Sequence, residues 1–308
     1  MDLNELLNLA IRLAAPIILV AIGGLFALKV NIFNIALDGI MLMGCFGSIT
    51  GAFLFSDPYI GVLGGVAFSL ILTLIYAVLV LEFDVDPIIC ALGVIVVSSG
   101  LTRYLLIPIF NSTGRYILPS SLALQTVRSP LLAKIPYVGS MLNNHSFLVY
   151  FSLVAPFLVY FLLYKTNIGL SMRAVGLNAE AAVADGINIK RIRYFALVLT
   201  GIFCGLGGAQ LALSLNMFNV GMSGGRGWVA LAALILSGSK PILAFLVSLM
   251  FGFANGLVLV LSGEGFPPQI LNMLPYALAL LIAVVPPLIN YIQKKVRLHE
   301  LRKSISTY

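Results

Sequence analysis

The chain has 308 residues, of which 60% are hydrophobic and only 9% charged. Water-soluble globular chains average about 25% charged residues, so this composition excludes a fully water-facing surface and points to a polytopic protein solvated by the lipid bilayer. The net charge of +7 does not indicate nucleic acid, because the basic residues cluster in short segments beside apolar runs, the pattern of membrane orientation. The sequence predicts one all-α transmembrane domain over 1–308, with nine apolar segments that cross or nearly cross about 30 Å of hydrocarbon. They run over 11–28, 34–54, 59–81, 86–107, 146–164, 194–215, 220–238, 241–262 and 269–290. The N-terminus, MDLNELLNLAIR, is acidic where a cleavable signal is basic, so no signal is expected. Segment 34–54 is the weakest, since Asn34, Asp38 and four glycines fall in it, and it is expected to be broken or re-entrant.

Lys and Arg counts give an orientation. With the 165–193 loop in the cytoplasm, Lys29, Lys165, Arg173, Lys190, Arg191, Arg193, Lys240, Lys294, Lys295, Arg297, Arg302 and Lys303 fall on that side. Arg12, Arg103, Arg115, Arg128, Lys134 and Arg226 fall on the other. The excess puts the N-terminus outside and the 291–308 tail on the cytoplasmic side. The turn Glu82–Asp86 falls inside although it is acidic. The long loop 108–145 is extracytoplasmic, with short segments near Ile117–Leu124 and Leu131–Ile135, and serves as a docking surface or a spacer.

A weak internal echo links Asn31–Gly39 with Phe218–Gly227, each an Asn-bearing polar break before a long apolar run. One opens inside and the other outside. An inverted repeat would give this, with interrupted helices meeting near the midplane to form a substrate path.

The chain has no G-x-x-x-x-G-K-[ST] loop and so does not cradle ATP itself. Its two histidines, His145 and His299, are far apart, and no metal site or catalytic triad is expected. Cys45, Cys90 and Cys204 lie in apolar runs, as buried unpaired thiols do. The reading is a non-enzyme. Polar groups within apolar runs are the path candidates, since each needs a partner or water there. They are Asn34, Asp38, Asn216, Asn219, Arg226, Trp228, Asn255 and Asn272. Each has a structural alternative: a helix cap for Asp38, interhelical bonds for Asn255 and Asn272, an interfacial anchor for Trp228. No Asp/Glu/His chain marks a proton relay.

The polar stretch Tyr164–Tyr194 contains a short Ala-rich helix, 179–185. Asn178 is its N-cap, Glu180 suits the positive end of its dipole and Gly186 is a left-handed stop. Ala179, Ala182 and Val183 are spaced to make one small apolar face, and so short a helix needs something to lie against.

Glu180-Ala181-Ala182-Val183-Ala184-Asp185-Gly186 resembles E-A-A-x-x-x-G, the loop signature of permease subunits in bacterial ABC importers. Arg173–Asn178 and Gly186–Asn188 resemble the branch serving ribose-type sugars, branched-chain amino acids and nucleosides. Asn34–Gly44 and Gly221–Ala233 are similar to nucleoside permeases that work with basic membrane lipoprotein-type binding proteins, although those usually carry Glu where this chain has Asp38. The resemblance implies a pore-forming nucleoside permease without its own motor. Its partners would be ATPase subunits, which bind the ATP and Mg, a second permease chain and an extracytoplasmic binding lipoprotein. It also implies that Arg173, Asn178, Ala179, Glu180, Ala181, Ala182, Val183, Asp185, Gly186, Lys190 and Arg191 couple to the ATPase. The alternatives are a ribose-type sugar as substrate, or a secondary transporter or facilitator that needs no ATP.

Overall fold

A computed structural model describes residues 3–127 and 143–262, together with 271, 273–275, 277, 280 and 284. The described chain is a helical bundle. Its elements are α1 (Leu3–Lys29), α2 (Leu37–Phe55), α3 (Pro58–Leu81), α4 (Pro87–Phe110), β1 (Arg115–Ile117), β2 (Thr126–Val127), β3 (His145–Ser146), α5 (Phe147–Lys165), α6 (Asn167–Leu177), α7 (Ala179–Ala184), α8 (Ile189–Leu215), β4 (Met217–Asn219), α9 (Arg226–Leu236) and α10 (Pro241–Ser262).

Among the described residues, seven helices are long and apolar enough to cross a membrane: α1, α2, α3, α4, α5, α8 and α10. Two of the nine expected segments are not among them. Segment 220–238 holds only the 11-residue α9 behind an irregular stretch, because glycines at 221, 224 and 225 adopt positive φ and turn the chain before the helix begins. Segment 269–290 lies largely outside the described residues, as do 131–135 and the 291–308 tail.

Segment 34–54 proves to be one unbroken helix from Leu37. Its glycines, which read as breaks, are contact points. A Cβ on Gly47 would lie 2.6 Å from the Gly64 carbonyl oxygen, and one on Gly61 would lie 2.7 Å from that of Ser48. Small residues let α2 and α3 approach backbone to backbone, which is how helices associate where apolar burial gives no net driving force. The actual break is the turn between α1 and α2, where Asn31 takes φ 60°.

α1, α2 and α8 form the centre. Their apolar windows are 83%, 83% and 78% buried, against 28% for α4. α8 packs on both sides through glycine: a Cβ on Gly205 would strike Ser69 and Val66 of α3, and one on Gly208 would strike Met41 of α2. Hydroxyls add bonds between helices. Thr200 Oγ1 donates to the Gly23 carbonyl at 2.9 Å and Ser69 Oγ to the Gly201 carbonyl at 2.9 Å. The outward sides of α3, α4 and α5 carry exposed Leu63, Ile71, Ile89, Val96, Phe157 and Phe161, as a lipid-facing belt does.

Two small ladders supplement the helices. β1 pairs antiparallel with β4 (Arg115 opposite Asn219, Ile117 opposite Met217), and β2 with β3. They lie in and beside the 108–145 loop and fasten it to the ends of α8 and α5.

The charge assortment follows the bundle. Lys29 and Arg173 both lie over the ring of Tyr164, so the C-terminus of α1 shares an end with the 166–188 loop. Arg12, bonded to Ser214, is at the opposite end of α1 and α8.

Candidate transport path and coupling loop

The two sequence breaks meet. Asp38 sits in the first turn of α2, and its Oδ1 accepts from the Gly227 N–H at 2.9 Å while Oδ2 accepts from Ser223 Oγ at 2.9 Å. Gly227 is in the first turn of α9. No side chain of its own caps that helix: its N-cap is Gly225, with φ 79°. Asp38 therefore supplies the cap from 189 residues away. Two helix N-termini, each with partial positive charge, face one carboxylate. Any side chain at 227 would overlap the backbone of Asp38, so glycine alone allows this approach. The Arg226 guanidinium lies in the same cluster and donates to the carbonyls of Met222 and Ser223 at 3.4 and 3.3 Å.

From this junction the helices run in opposite directions. α2 ends near β1, where Phe53 meets Tyr116. α9 leads to α10, which is antiparallel to α1: Gly252 lies against Ala14, and Gly256 against Ala10 and Leu6. The start of α10, and hence the end of α9, is at the Lys29 end of the bundle. This is the geometry of two interrupted helices in an inverted arrangement.

The path candidates divide into groups. Asp38 and Arg226 come together with Ser223 and Gly227, which the sequence reading did not single out. Arg226, which the charge assortment put on the outer side, lies deeper than Asn216 and Asn219, because 217–225 descends into the bundle. Phe218 packs on Phe46, which is about 12 Å further along α2 than Asp38 at 1.5 Å per residue. Asn34 is buried in the α1–α2 turn, where its Oδ1 accepts from Ala36 N–H at 2.9 Å and its Nδ2 has no partner among the described residues. Asn216 is the left-handed C-cap of α8. Its carbonyl accepts from Leu118 N–H at 2.7 Å, and its Oδ1 is buried without a donor among the described residues. Asn219 is exposed on β4. Trp228 is 41% exposed. Asn255 donates to the Phe251 carbonyl of its own helix at 3.0 Å and is remote from the junction. Asn272 lies outside the described residues.

The loop contains α7 over 179–184, close to the expected 179–185. Asn178 Oδ1 accepts from Ala181 N–H at 3.1 Å, and Gly186 is left-handed with φ 79°. Glu180 is in the first turn and Asp185 is the C-cap. The loop is more ordered than the sequence suggested. α6 fills 167–177, started by Thr166, whose hydroxyl accepts from Gly169 N–H at 3.2 Å, and held by buried Met172 and Val175. α8 begins at Ile189 rather than 194, capped by Asn188.

Ala179, Ala182 and Val183 do not form one outward face. Ala182 is 2% exposed and turned into its own chain, while Val183 is 57% exposed. The outward surface comprises Leu177, at 88% exposure, with Glu180, Ala181, Val183 and Ala184. Ala182 turns inward because Ile187 N–H bonds its carbonyl at 2.9 Å and folds the chain back over it. Of the flanking basic residues, Arg191 is exposed and Arg173 lies 5.0 Å from the Tyr164 ring.

Lys190 pairs within the chain. Its Nζ is 2.7 Å from Glu82 Oε2, and Tyr194 Oη donates to Glu82 Oε1 at 3.2 Å. The bond from Lys190 holds the Glu82 carboxyl below the usual range. The acidic turn that seemed odd on this side of the membrane is thus the partner of the first turns of α8.

Residues 6–284 match the family described as branched-chain amino acid transport system / permease component. The guanosine ABC transporter permease protein NupQ of Bacillus subtilis is 30% identical, over 91% of this chain and 92% of its own length. The nucleoside ABC transporter permease protein NupC of Lactococcus lactis is also 30% identical, over 92% of this chain and 95% of its own. The putative glucose ABC transporter permease protein TsgC13 of Haloferax volcanii is 27% identical, over 82% and 77%. Seven membrane-length helices, two breaks joined at Asp38, and a match over most of the chain place this protein in the family of branched-chain amino acid transport system permease components, as a multi-pass membrane permease.

Proposed function

We propose that the chain is the nucleoside-carrying permease subunit of an ATP-driven importer in a bacterial cytoplasmic membrane. The observation that carries this reading is the 30% identity, over nine-tenths of the chain, to a guanosine and a nucleoside permease. The N-terminus lies outside and the α6–α7 loop in the cytoplasm, as the positive-inside rule favours. A second permease chain completes the pore, and an extracytoplasmic lipoprotein delivers substrate. ATPase subunits hold ATP and Mg and take α7 into a surface groove. Exposed Leu177 and Val183 are the side chains that fill it. Closure of the ATPase pair pushes α7, α8 tilts, and the junction at Asp38 transmits the tilt to both interrupted helices.

A sugar is the second reading for the substrate, favoured by the similarity to TsgC13.

Co-reconstitution with the ATPase and the lipoprotein tests the function. Guanosine uptake should require ATP, and ribose uptake should be weaker. Robust flux through this chain alone would overturn the importer reading. Leu177→Glu or Val183→Glu should weaken ATPase association by tenfold or more, since a buried unpaired charge costs several kcal/mol at an interface, while membrane insertion is kept. Unchanged association in both would remove this surface from the contact.

A further inference from the structure

A cavity of about 270 Å³ lies where α1, α5, α8 and the β2–β3 ladder converge, lined by Asn8, Arg12, Leu124, Thr126, His145, Ser146, Gln210, Ser214 and Asn216 among others. A second hollow of about 330 Å³ adjoins it through shared Asn8, Arg12 and Asn144. The wall is built rather than accidental. Gln210, 1% exposed, accepts from Ser146 Oγ at 2.8 Å, and Arg12 Nη2 donates to the Ser214 carbonyl at 2.7 Å. Asn216 Oδ1 is buried and has no donor among the described residues. The chain from Asn216 continues through β4 and the glycine turns to Gly227 and Asp38. The cavity is therefore at the head of the segment that leads to the central junction.

The lining chemistry selects a ligand class. No carboxylate is among the described residues that line this cavity; Glu5 lines the adjoining hollow, which leaves the cavity itself without a counter-ion for the ammonium of an amino acid. Arg12 is the one permanent cation among the described lining residues and already bonds a carbonyl, too little for a phosphate group. Amide and hydroxyl groups surround a patch of Leu124, Val149 and Leu213. That combination suits a neutral ring with several hydroxyls, whose O–H groups meet acceptors and whose C–H face meets the apolar patch. We infer that this cavity binds the ribosyl ring of the transported nucleoside at the outer face of this subunit, before the junction opens. The inference rests on the nucleoside reading.

The test uses the complete transporter in vesicles, with Ser214→Cys or Thr126→Cys on opposite walls as separate reporters. The natural cysteines Cys45, Cys90 and Cys204 are all buried, so background modification is low. A small water-soluble thiosulfonate should modify both reporters. Guanosine at about ten times its Kd should slow modification about tenfold by simple occupancy, ribose should protect at higher concentration, and leucine should not protect. Guanosine uptake is measured in parallel on vesicles that hold the unsubstituted transporter. Uptake without protection at either reporter overturns the cavity assignment and leaves the nucleoside reading standing. Absence of guanosine uptake, with ATPase activity intact, overturns the nucleoside reading and the inference with it. Protection by leucine, or failure to modify either reporter, also overturns the assignment.

Discussion

Asp38 has both carboxylate oxygens engaged within the protein, one by Gly227 N–H and one by Ser223 Oγ. Its role in this geometry is to hold two interrupted helices together. Asp38→Ala leaves a buried N–H and a buried hydroxyl without acceptors, each costing about 1–3 kcal/mol. The expected outcome is normal membrane insertion, a lower unfolding temperature in detergent and a several-fold or greater fall in uptake. Asp38→Asn keeps the size and one acceptor, and should fall between wild type and alanine in thermal stability. An alanine variant with unchanged stability and uptake would refute the pinning role. Gly227→Ala probes the same junction from the other side. An added methyl group overlaps the Asp38 backbone, and overpacking of this kind costs about 1–3 kcal/mol. Asp38 could be picked from the sequence because a carboxylate in an apolar run needs a reason. Ser223 and Gly227 could not, since a serine or glycine in a Gly-rich break reads as a turn residue whatever it touches.

At the scale of elements, the loop that holds α6 and α7 was the most legible part. Its caps are local, formed by Asn178 and Gly186 with backbone a few residues away. Its outward face was not legible. The i, i+3, i+4 spacing groups Ala179, Ala182 and Val183, but only tertiary contact with the following chain decides that Ala182 is covered. The Glu82–Lys190–Tyr194 cluster ties the α3–α4 turn to the base of α8. An exposed pair of this kind adds little to stability, so its expected contribution is to register between elements. Glu82→Lys should reduce uptake per ATP hydrolysed while leaving the unfolding temperature nearly unchanged. The double exchange Glu82→Lys with Lys190→Glu should restore much of it. A double variant no better than the single would show that the pair transmits nothing. The pH dependence has a definite sign. Glu82 is held below the usual carboxylate range by Lys190, so the contact is intact at neutral pH and is lost as pH falls through that depressed value.

Across the whole molecule, burial concentrates in α1, α2 and α8; Cys45 and Cys204 lie within that packing, and Cys90 is buried on α4. A membrane-impermeant maleimide should leave the native chain unmodified and label it after denaturation; rapid native labelling would contradict the close helix contacts. The sequence by itself determined the membrane class, the positions of most spanning helices and the capped short helix α7. Hydropathy over some 20 residues and caps over a few are local properties of the chain. Tertiary structure alone decided that the glycines of 34–54 are contact points rather than breaks, that the acidic turn has a basic partner, and that Asp38 meets Gly227. Those facts depend on which helices become neighbours, and residues separated by 108 or 189 positions carry no local signal of their pairing.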